Sequence, residues 1–203
     1  VGHQDGSFPD LGWHLKGEMG GIWAHPIKLM DGFQAGIALN DSIYCLPPAQ
    51  EFTNYPMANL LRYPKVNGVK VERFHFVPDG RKGMIVEYAL TNTTNEEISF
   101  VFTFSGRSDL SPVWLGERTG LNDAMDSIWH ENEIQAIIAK DLDNPWYAYF
   151  GTVRTPTDYW MHALCSSSNL GSGKEATLLF DMTIPAGKTE YLPITIAGSY
   201  ISG

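Results

Sequence analysis

Residues 84–104 read MIVEYALTNTTNEEISFVFTF, and this stretch decides the fold class. Alternate positions of residues 84–90 and of residues 98–104 are apolar or aromatic, with a polar run between them. A period of two with β-branched and aromatic residues is typical of β-strands, and the polar run marks a turn. Residues 84–104 are therefore predicted to form a β-hairpin. The triplet Asn92-Thr93-Thr94 in the predicted turn also matches a glycosylation sequon, which would be exposed there.

The same pattern returns towards the end of the chain. Apolar and polar side chains alternate in residues 176–184, and Pro185-Ala186-Gly187-Lys188 has the composition of a turn. Residues 191–197 have the pattern of a returning strand, so a second hairpin is predicted. Further strands are predicted at 35–44, 69–77, 134–139 and 147–154, with a turn at Asp79-Gly80. Residues 121–139 are the best helix candidate, although their isoleucine-rich half fits a strand equally well. Many short strands separated by Gly and Pro turns predict an all-β antiparallel β-sandwich with few or no long helices, in one domain covering residues 1–203.

Composition and charge exclude several classes of function. The 203 residues carry a formal net charge of −9, and the lysines and arginines are scattered. Binding to nucleic acid or to an anionic membrane needs a basic surface, so neither partner is expected. No apolar run approaches the length of a membrane-spanning helix. The chain begins with Val1, as a processed protein or an excised domain would. It ends directly after an apolar strand, where a cut at a domain boundary is favoured over a short natural C-terminus.

Residues 17–33 read GEMGGIWAHPIKLMDGF and are the least regular part of the chain. The mixture of Gly, Pro, charged and aromatic residues favours a shaped loop over a helix or a strand, and such loops often carry function. Trp23, His25, Lys28 and Asp31 are the candidate site residues, and we expect them to lie together at the surface. The alternatives are a core position for Trp23, a solvated charge for Lys28 and a turn position for Asp31.

The rest of the chain contains no recognisable metal-binding or catalytic motif. The six histidines are widely spaced and the two cysteines form no CxxC pair, so neither a metal nor another cofactor is expected. Cys45 and Cys165 could form one disulfide or remain two buried thiols. Glycoside hydrolysis needs two carboxylates beside the scissile bond. The candidates are numerous and most are expected to be surface acids: Glu18, Asp31, Asp109, Glu117, Asp123, Asp126 and Glu131.

The tryptophans are candidates for stacking on sugars. An indole ring can contact the apolar C–H face of a pyranose, but large aromatic residues more often pack in a core. Core positions are expected for three of them, Trp129, Trp146 and Trp160. For Trp23, a ligand or interface role and a core role are weighted equally.

Residues 17–33 resemble the N-terminal domain of bacterial glycosidases that have an (α/α)6 catalytic barrel, the glycogen-debranching and family 63 glucosidase-like enzymes. Residues 86–104 look like a central strand pair of that domain, and residues 184–188 with 196–200 look like its last hairpin. In that family the N-terminal β-sandwich packs against the barrel and helps to shape the substrate cleft, while the catalytic acids belong to the barrel. The resemblance implies no catalytic residue in this chain.

Three hypotheses follow. The first is a non-catalytic N-terminal domain of a glycoside hydrolase, with the C-terminal catalytic barrel of the same polypeptide and an oligosaccharide as its partners. The second is a free-standing carbohydrate-binding β-sandwich, and the third is a small complete β-sandwich enzyme. A periplasmic or extracellular location is expected, with the cytoplasm as the alternative.

Overall fold

The computed structural model describes residues 2–8, 20–113, 120–165 and 173–201. These residues form strands, turns and bends, and no helix is present among them, so no described helix could cross a membrane. The strands are β1 (Ile22–Ala24), β2 (Ile27–Leu39), β3 (Ser42–Cys45), β4 (Glu51–Tyr55), β5 (Ala58–Arg62), β6 (Val69–Phe76), β7 (Gly83–Asn92), β8 (Ile98–Pro112), β9 (Asp126–Glu131), β10 (Ala136–Asp141), β11 (Tyr147–Gly151), β12 (Asp158–Trp160), β13 (Lys174–Ile184) and β14 (Thr189–Ser199).

The strands make two antiparallel sheets that pack face to face. The first sheet has the order β1-β2-β8-β13-β12, with β3 also paired to β2. The second sheet has the order β4-β5-β6-β7-β14-β11-β10-β9. The inward side chains of both sheets form one hydrophobic core, in which the Tyr88 and Phe102 rings lie 4.9 Å apart. The predicted all-β antiparallel β-sandwich is confirmed.

Both predicted hairpins are wrong, although their strands exist. β7 belongs to the second sheet and β8 to the first, and β13 and β14 are divided in the same way. Residues 93–97 and 185–188 are therefore arches between the layers. The alternation of apolar and polar residues shows only which side chains face the core. It is therefore the same whether two successive strands form a hairpin or an arch.

Asn92 ties the two arches together, so the predicted exposure of the sequon is also wrong. Its side chain is fully buried, and its amide nitrogen donates hydrogen bonds to the carbonyl oxygens of Glu96 (2.7 Å) and Ile184 (2.8 Å). Its backbone N–H donates to the carbonyl oxygen of Lys188. The side chain is thus held inside the fold by both connections.

Other predicted elements are partly right. The strands predicted at 69–77, 134–139 and 147–154 correspond to β6, β10 and β11. The segment 35–44 is divided between β2 and β3 by a turn at Asn40 and Asp41, which both have positive φ. The helix candidate at 121–139 is instead the β9–β10 hairpin. This segment forms strands and not a helix because Ile137 and Ala139, two residues apart, both point into the core, as in a β-strand.

The segment 17–33 is not a loop over most of its length. Residues 17–19 lie outside the described residues, and Ile22–Ala24 and Ile27–Leu39 form a hairpin through His25 and Pro26. β2 pairs with β8 along most of its length. Its polar and charged residues are tolerated in a strand because they find partners inside the protein, as described below.

A disulfide joins Cys45, at the end of β3, to Cys165. It settles the alternatives left open for the two thiols. Residues 162–165 cross the outer face of the first sheet, where the carbonyl oxygen of His162 accepts a hydrogen bond from Thr177 and the Leu164 N–H donates to Ser105. The disulfide anchors this crossing segment to the sheet.

Candidate functional site

The four candidate site residues are divided between two places. Trp23 is partly buried and His25 is exposed, and both line a cavity at one end of the sandwich. Lys28 and Asp31 have relative exposures of 0% and 1%. The expectation that all four lie together at the surface is therefore wrong for Lys28 and Asp31.

The buried pair belongs to a network of charges. Lys28 Nζ lies 2.8 Å from an Asp31 oxygen and 2.5 Å from an Asp109 oxygen. Arg107 reaches Asp31 at 3.1 Å and Glu175 at 3.3 Å. Burial acts to lower the pKa of Lys28, but the carboxylates of Asp109 and Asp31 more than offset it and the net shift is upward. The network thus links β2, β8 and β13 through charged groups that satisfy one another.

Irregular pairing explains how Lys28 and Asp31 meet. Residues three apart on a regular strand point to opposite faces of the sheet. The ladder between β2 and β8 shifts register between Lys28 and Met30 and again between Met30 and Gly32. Such bulges redirect side chains, and here they bring the ammonium and the carboxylate to one side.

The cavity, called the end cavity here, has a volume of about 490 Å³. It lies between β1 of the first sheet and β5 and β6 of the second, beside the N-terminal segment and the connection from β6 to β7. Its described lining residues are Gly2, His3, Phe8, Ile22, Trp23, Ala24, His25, Phe52, Asn59, Arg73, His75, Val77, Arg81, Lys82, Gly83 and Met84.

Aromatic side chains supply part of the lining of the end cavity. The Trp23 ring is held by a 2.9 Å hydrogen bond from Nε1 to the carbonyl oxygen of Gly20. Phe8 packs against Phe33 of the core with ring centroids 4.9 Å apart, and Phe52 is exposed on β4. Trp23 is therefore fixed in orientation at the cavity and suited to contact a flat apolar surface.

Arg73 is the most unusual residue of the lining. Its exposure is 3%, one of its terminal nitrogens donates a 3.0 Å hydrogen bond to the Gly6 carbonyl oxygen, and its guanidinium lies over the rings of Phe33 and Tyr63. Its Nε has no hydrogen-bond partner among the described residues. None of the ion pairs between described residues includes Arg73.

Two neutral polar groups beside Arg73 are also left without partners among the described residues. Asn59 and His75 are paired across β5 and β6, and Asn59 Oδ1 and His75 Nδ1 make no hydrogen bond. Burial, followed by the charge of Arg73, lowers the pKa of His75 to about 3. His75 is therefore neutral at physiological pH and can accept or donate one hydrogen bond at that nitrogen.

Sequence reasoning missed Arg73, His75 and Asn59. The available signal was in β6, where Val69, Val71, Arg73 and His75 alternate on the inward face. Two polar residues that continue an apolar alternation indicate a partner or a site inside the fold.

The remaining tryptophans are distributed between core and surface. Trp146 is buried as expected, Trp129 is partly buried, and Trp160 is 39% exposed on β12, so the core position expected for it is wrong. Trp13 and Trp114 lie outside the described residues.

Metal-binding and acidic groups do not meet at the end cavity within the described residues. No group of three His, Cys, Asp or Glu side chains there could hold a metal ion. Among the candidate acids, Asp31 and Asp109 share Lys28, and Asp126 accepts a hydrogen bond from the Leu110 N–H. Glu18 and Glu117 lie outside the described residues.

Neither a protein-family model nor a curated protein matches the chain. Several solved structures share its fold, and the names of three of them denote carbohydrate-active enzymes. A polysaccharide lyase matches with a TM-score of 0.51 at 13% identity, over 83% of this chain and 25% of its own. A putative aldose 1-epimerase from Escherichia coli K12 matches with a TM-score of 0.53 at 8% identity, over 82% of this chain and 79% of its own. A putative kojibiose phosphorylase from the human microbiome matches with a TM-score of 0.52 at 10% identity, over 84% of this chain and 22% of its own.

At these identities the matches establish a shared fold. This chain spans about a quarter of the lyase and of the phosphorylase, and most of the epimerase. The fold is thus one that carbohydrate-active enzymes contain, both as a part of a long chain and as most of a short one.

Proposed function

We propose that this chain is the non-catalytic N-terminal β-sandwich domain of a glycoside hydrolase, which docks on the catalytic barrel and helps to shape the carbohydrate-binding cleft. The observation that carries the proposal is the end cavity, where Trp23 and His25 meet the polar groups of Arg73, His75 and Asn59. Its volume falls within the range of small-molecule sites, which combine apolar walls with a few polar groups.

The chemistry of the cavity suits a sugar. A pyranose has apolar C–H faces, which pack on aromatic rings, and hydroxyl groups that both donate and accept hydrogen bonds. Trp23 offers the ring, while Asn59 Oδ1 and His75 Nδ1 have unused hydrogen-bonding capacity among the described residues. Both atoms are shielded from solvent, so a saccharide hydroxyl would reach them once neighbouring side chains of the cavity move.

The proposal assigns catalysis to the barrel. Hydrolysis of a glycosidic bond uses two carboxylates, one as an acid and one as a base or nucleophile. The described lining of the end cavity offers Arg, Lys, His and Asn side chains and no Asp or Glu. These groups can bind and orient a sugar, and the long chains of the lyase and the phosphorylase support the idea of a larger parent.

The reading frame after Gly203 is the first test. Continuation into several hundred residues of paired amphipathic helices supports the proposal, and a stop codon directly after Gly203 would contradict it. The second test separates the two parts of such a protein and measures hydrolysis by the helical part alone. Addition of the β-sandwich in trans should restore activity, and a Trp23→Ala β-sandwich should restore less than one carrying the control substitution Trp160→Ala.

A free-standing carbohydrate-binding module is the second candidate, and a partly exposed aromatic row favours it. Tyr55, Phe74 and Phe76 lie on the outer face of the second sheet with ring centroids 6.3 and 5.9 Å apart. Titration calorimetry of the isolated chain with oligosaccharides discriminates the two. Micromolar affinity that Tyr55→Ala abolishes and Trp23→Ala leaves unchanged would favour the module over the docking domain.

The proposed location is the periplasm or the cell exterior. The Cys45–Cys165 disulfide supports it, because disulfides persist mainly in oxidising compartments. Alkylation of the protein in freshly lysed cells should leave both cysteines unmodified unless a reductant is added. Rapid modification of both would favour the cytoplasm.

A further inference from the structure

Arg73 is a buried positive charge without a carboxylate partner among the described residues. A guanidinium remains protonated at all physiological pH values, and burying a charge is costly unless an opposite charge or several hydrogen bonds compensate it. Among the described residues, Arg73 donates to one carbonyl oxygen, lies over two aromatic rings and interacts with the Tyr88 hydroxyl, and it forms no ion pair with a carboxylate. Lys28, the other fully buried cation among the described residues, differs because two carboxylates lie within 2.8 Å of its ammonium.

The other charged groups of the cavity have the same sign. Arg81 and Lys82 are exposed on the connection from β6 to β7. The described lining contains no Asp or Glu, although the whole chain has 23 acidic residues against 14 basic ones. An anionic ligand would be attracted into this cavity by a local field opposite to that of the rest of the protein.

We propose that the end cavity binds the carboxylate of an acidic sugar, a uronic acid residue within an oligosaccharide, with Arg73 as its main charged partner. This inference rests on the proposed function and names the class of saccharide for that site. Arginine suits the role because it is always charged and carries five N–H donors, of which Arg73 uses one terminal nitrogen on the Gly6 carbonyl oxygen.

The neutral groups favour an acidic sugar over a simple anion. Asn59 Oδ1 is an acceptor and needs a donor, and His75 is neutral at physiological pH. Acetate or sulfate offers only acceptors, whereas a uronic acid places hydroxyl donors next to its carboxylate. The aromatic face of Trp23 adds a surface for the sugar ring and none for a small anion.

Titration calorimetry of the full chain at pH 7 tests this proposal. The probe is trigalacturonate, and its fully methyl-esterified form is the matched neutral ligand. We expect the acid to bind at least about tenfold more tightly than the ester, since charge-assisted hydrogen bonds contribute about 1.5–3 kcal/mol. Sodium acetate and sodium phosphate at the same concentration should give no measurable heat.

Substitutions inside and outside the end cavity test where trigalacturonate binds. Arg73→Met should weaken trigalacturonate binding at least about tenfold by removing the carboxylate partner. Arg81→Gln, at the exposed rim, should weaken it about two- to threefold even if Arg73→Met fails to fold. Lys188→Gln makes the same change of charge on an exposed arch at the other end of β7, about 30 Å away, and should change nothing.

The outcomes separate this inference from the proposed function. Equal affinity for the acid and the ester, both lowered by Trp23→Ala, would overturn the acid preference and leave sugar binding at the end cavity intact. Binding of phosphate or acetate as tight as that of trigalacturonate would also overturn it. Loss of affinity in Lys188→Gln equal to that in Arg81→Gln would show a general charge effect and contradict the assigned site.

Discussion

The guanidinium carbon of Arg73 lies 5.0 Å from the ring centroid of Phe33, so a positive charge rests directly on the aromatic core. Phe33 stacks in turn on Phe104 at 5.1 Å. Cation–π contact compensates a desolvated charge only in part. If the proposed ligand site is correct, Arg73 contributes little to stability in the absence of ligand, and this can be measured.

Replacement of Arg73 by Met should therefore cost little stability in the absence of ligand. Exchange of a buried, poorly compensated charge for an apolar group of similar length is often neutral or stabilising. We expect the free energy of unfolding, measured by urea denaturation, to change by less than about 1 kcal/mol. A loss of about 3 kcal/mol or more would contradict this prediction, because Arg73 would then stabilise the fold through its contacts within the chain.

Lys28→Met provides the contrasting case. Lys28 is equally buried, but the carboxylates of Asp31 and Asp109 both lie against its ammonium. Removal of the cation that they share should lower the free energy of unfolding by about 3 kcal/mol or more. Lys70→Met is the control, since Lys70 pairs with Glu72 at the surface and should lose less than about 1 kcal/mol. Equal losses in the two variants would contradict the structural role assigned to the network.

Asp126 should make stability depend on pH. Burial, reinforced by nearby aspartates and opposed by a hydrogen bond from the Leu110 N–H, raises the pKa of Asp126 from 3.8 to about 7. The folded state then binds this proton more tightly than the unfolded chain. Its contribution to stability is complete below about pH 4 and is lost as the pH rises through about 7.

Asp126→Asn tests this dependence, because the amide stays neutral and its oxygen can still accept the Leu110 N–H. The variant and the wild type should unfold at similar urea concentrations at pH 5. From pH 5 to pH 8 the variant should gain about 3 kcal/mol of stability relative to the wild type, from about 1.4 kcal/mol for each of the two pH units between 5 and the folded-state pKa of about 7. The same difference at both pH values would show that the titration of Asp126 does not contribute.

Asn92→Asp should loosen both arches. The carboxylate cannot donate to the carbonyl oxygens of Glu96 and Ile184, and it would carry a charge into a fully buried position. We expect a loss of about 3 kcal/mol or more of unfolding free energy at pH 7. Asn95→Asp, at an exposed position of the same arch, should be nearly neutral. Expression in a glycosylating host should add no glycan at Asn92, and a glycan there would contradict the buried position.

The sequence predicted the strands better than their partners. Alternation in residues 84–90 and 98–104 follows from which side chains face the core, and it marked both strands. It contains no information on whether the next strand joins the same sheet, so the two arches read as hairpins. Long-range contacts decide this, such as those of Asn92 with residues of both arches.

Of the four candidate site residues, two line the end cavity and the other two were misplaced, because their positions depend on strand pairing. Trp23 and His25 were found because their segment is irregular in composition. Lys28 and Asp31 were misplaced, since two shifts of register in the β2–β8 ladder turn them towards Asp109. Arg73 and His75 could have been noticed as polar residues on the inward face of β6.

The proposed function requires that a saccharide binds in the end cavity, and nuclear magnetic resonance of the ¹⁵N-labelled chain titrated with trigalacturonate would detect this binding residue by residue. The indole N–H signals of Trp23 and Trp160 report on the cavity and on a remote exposed position. We predict shifts of the Trp23 indole and of the backbone amides of Asn59, Arg73 and His75, with Trp160 unchanged. Unchanged cavity signals, or shifts confined to Trp160 and its neighbours, would contradict the claim.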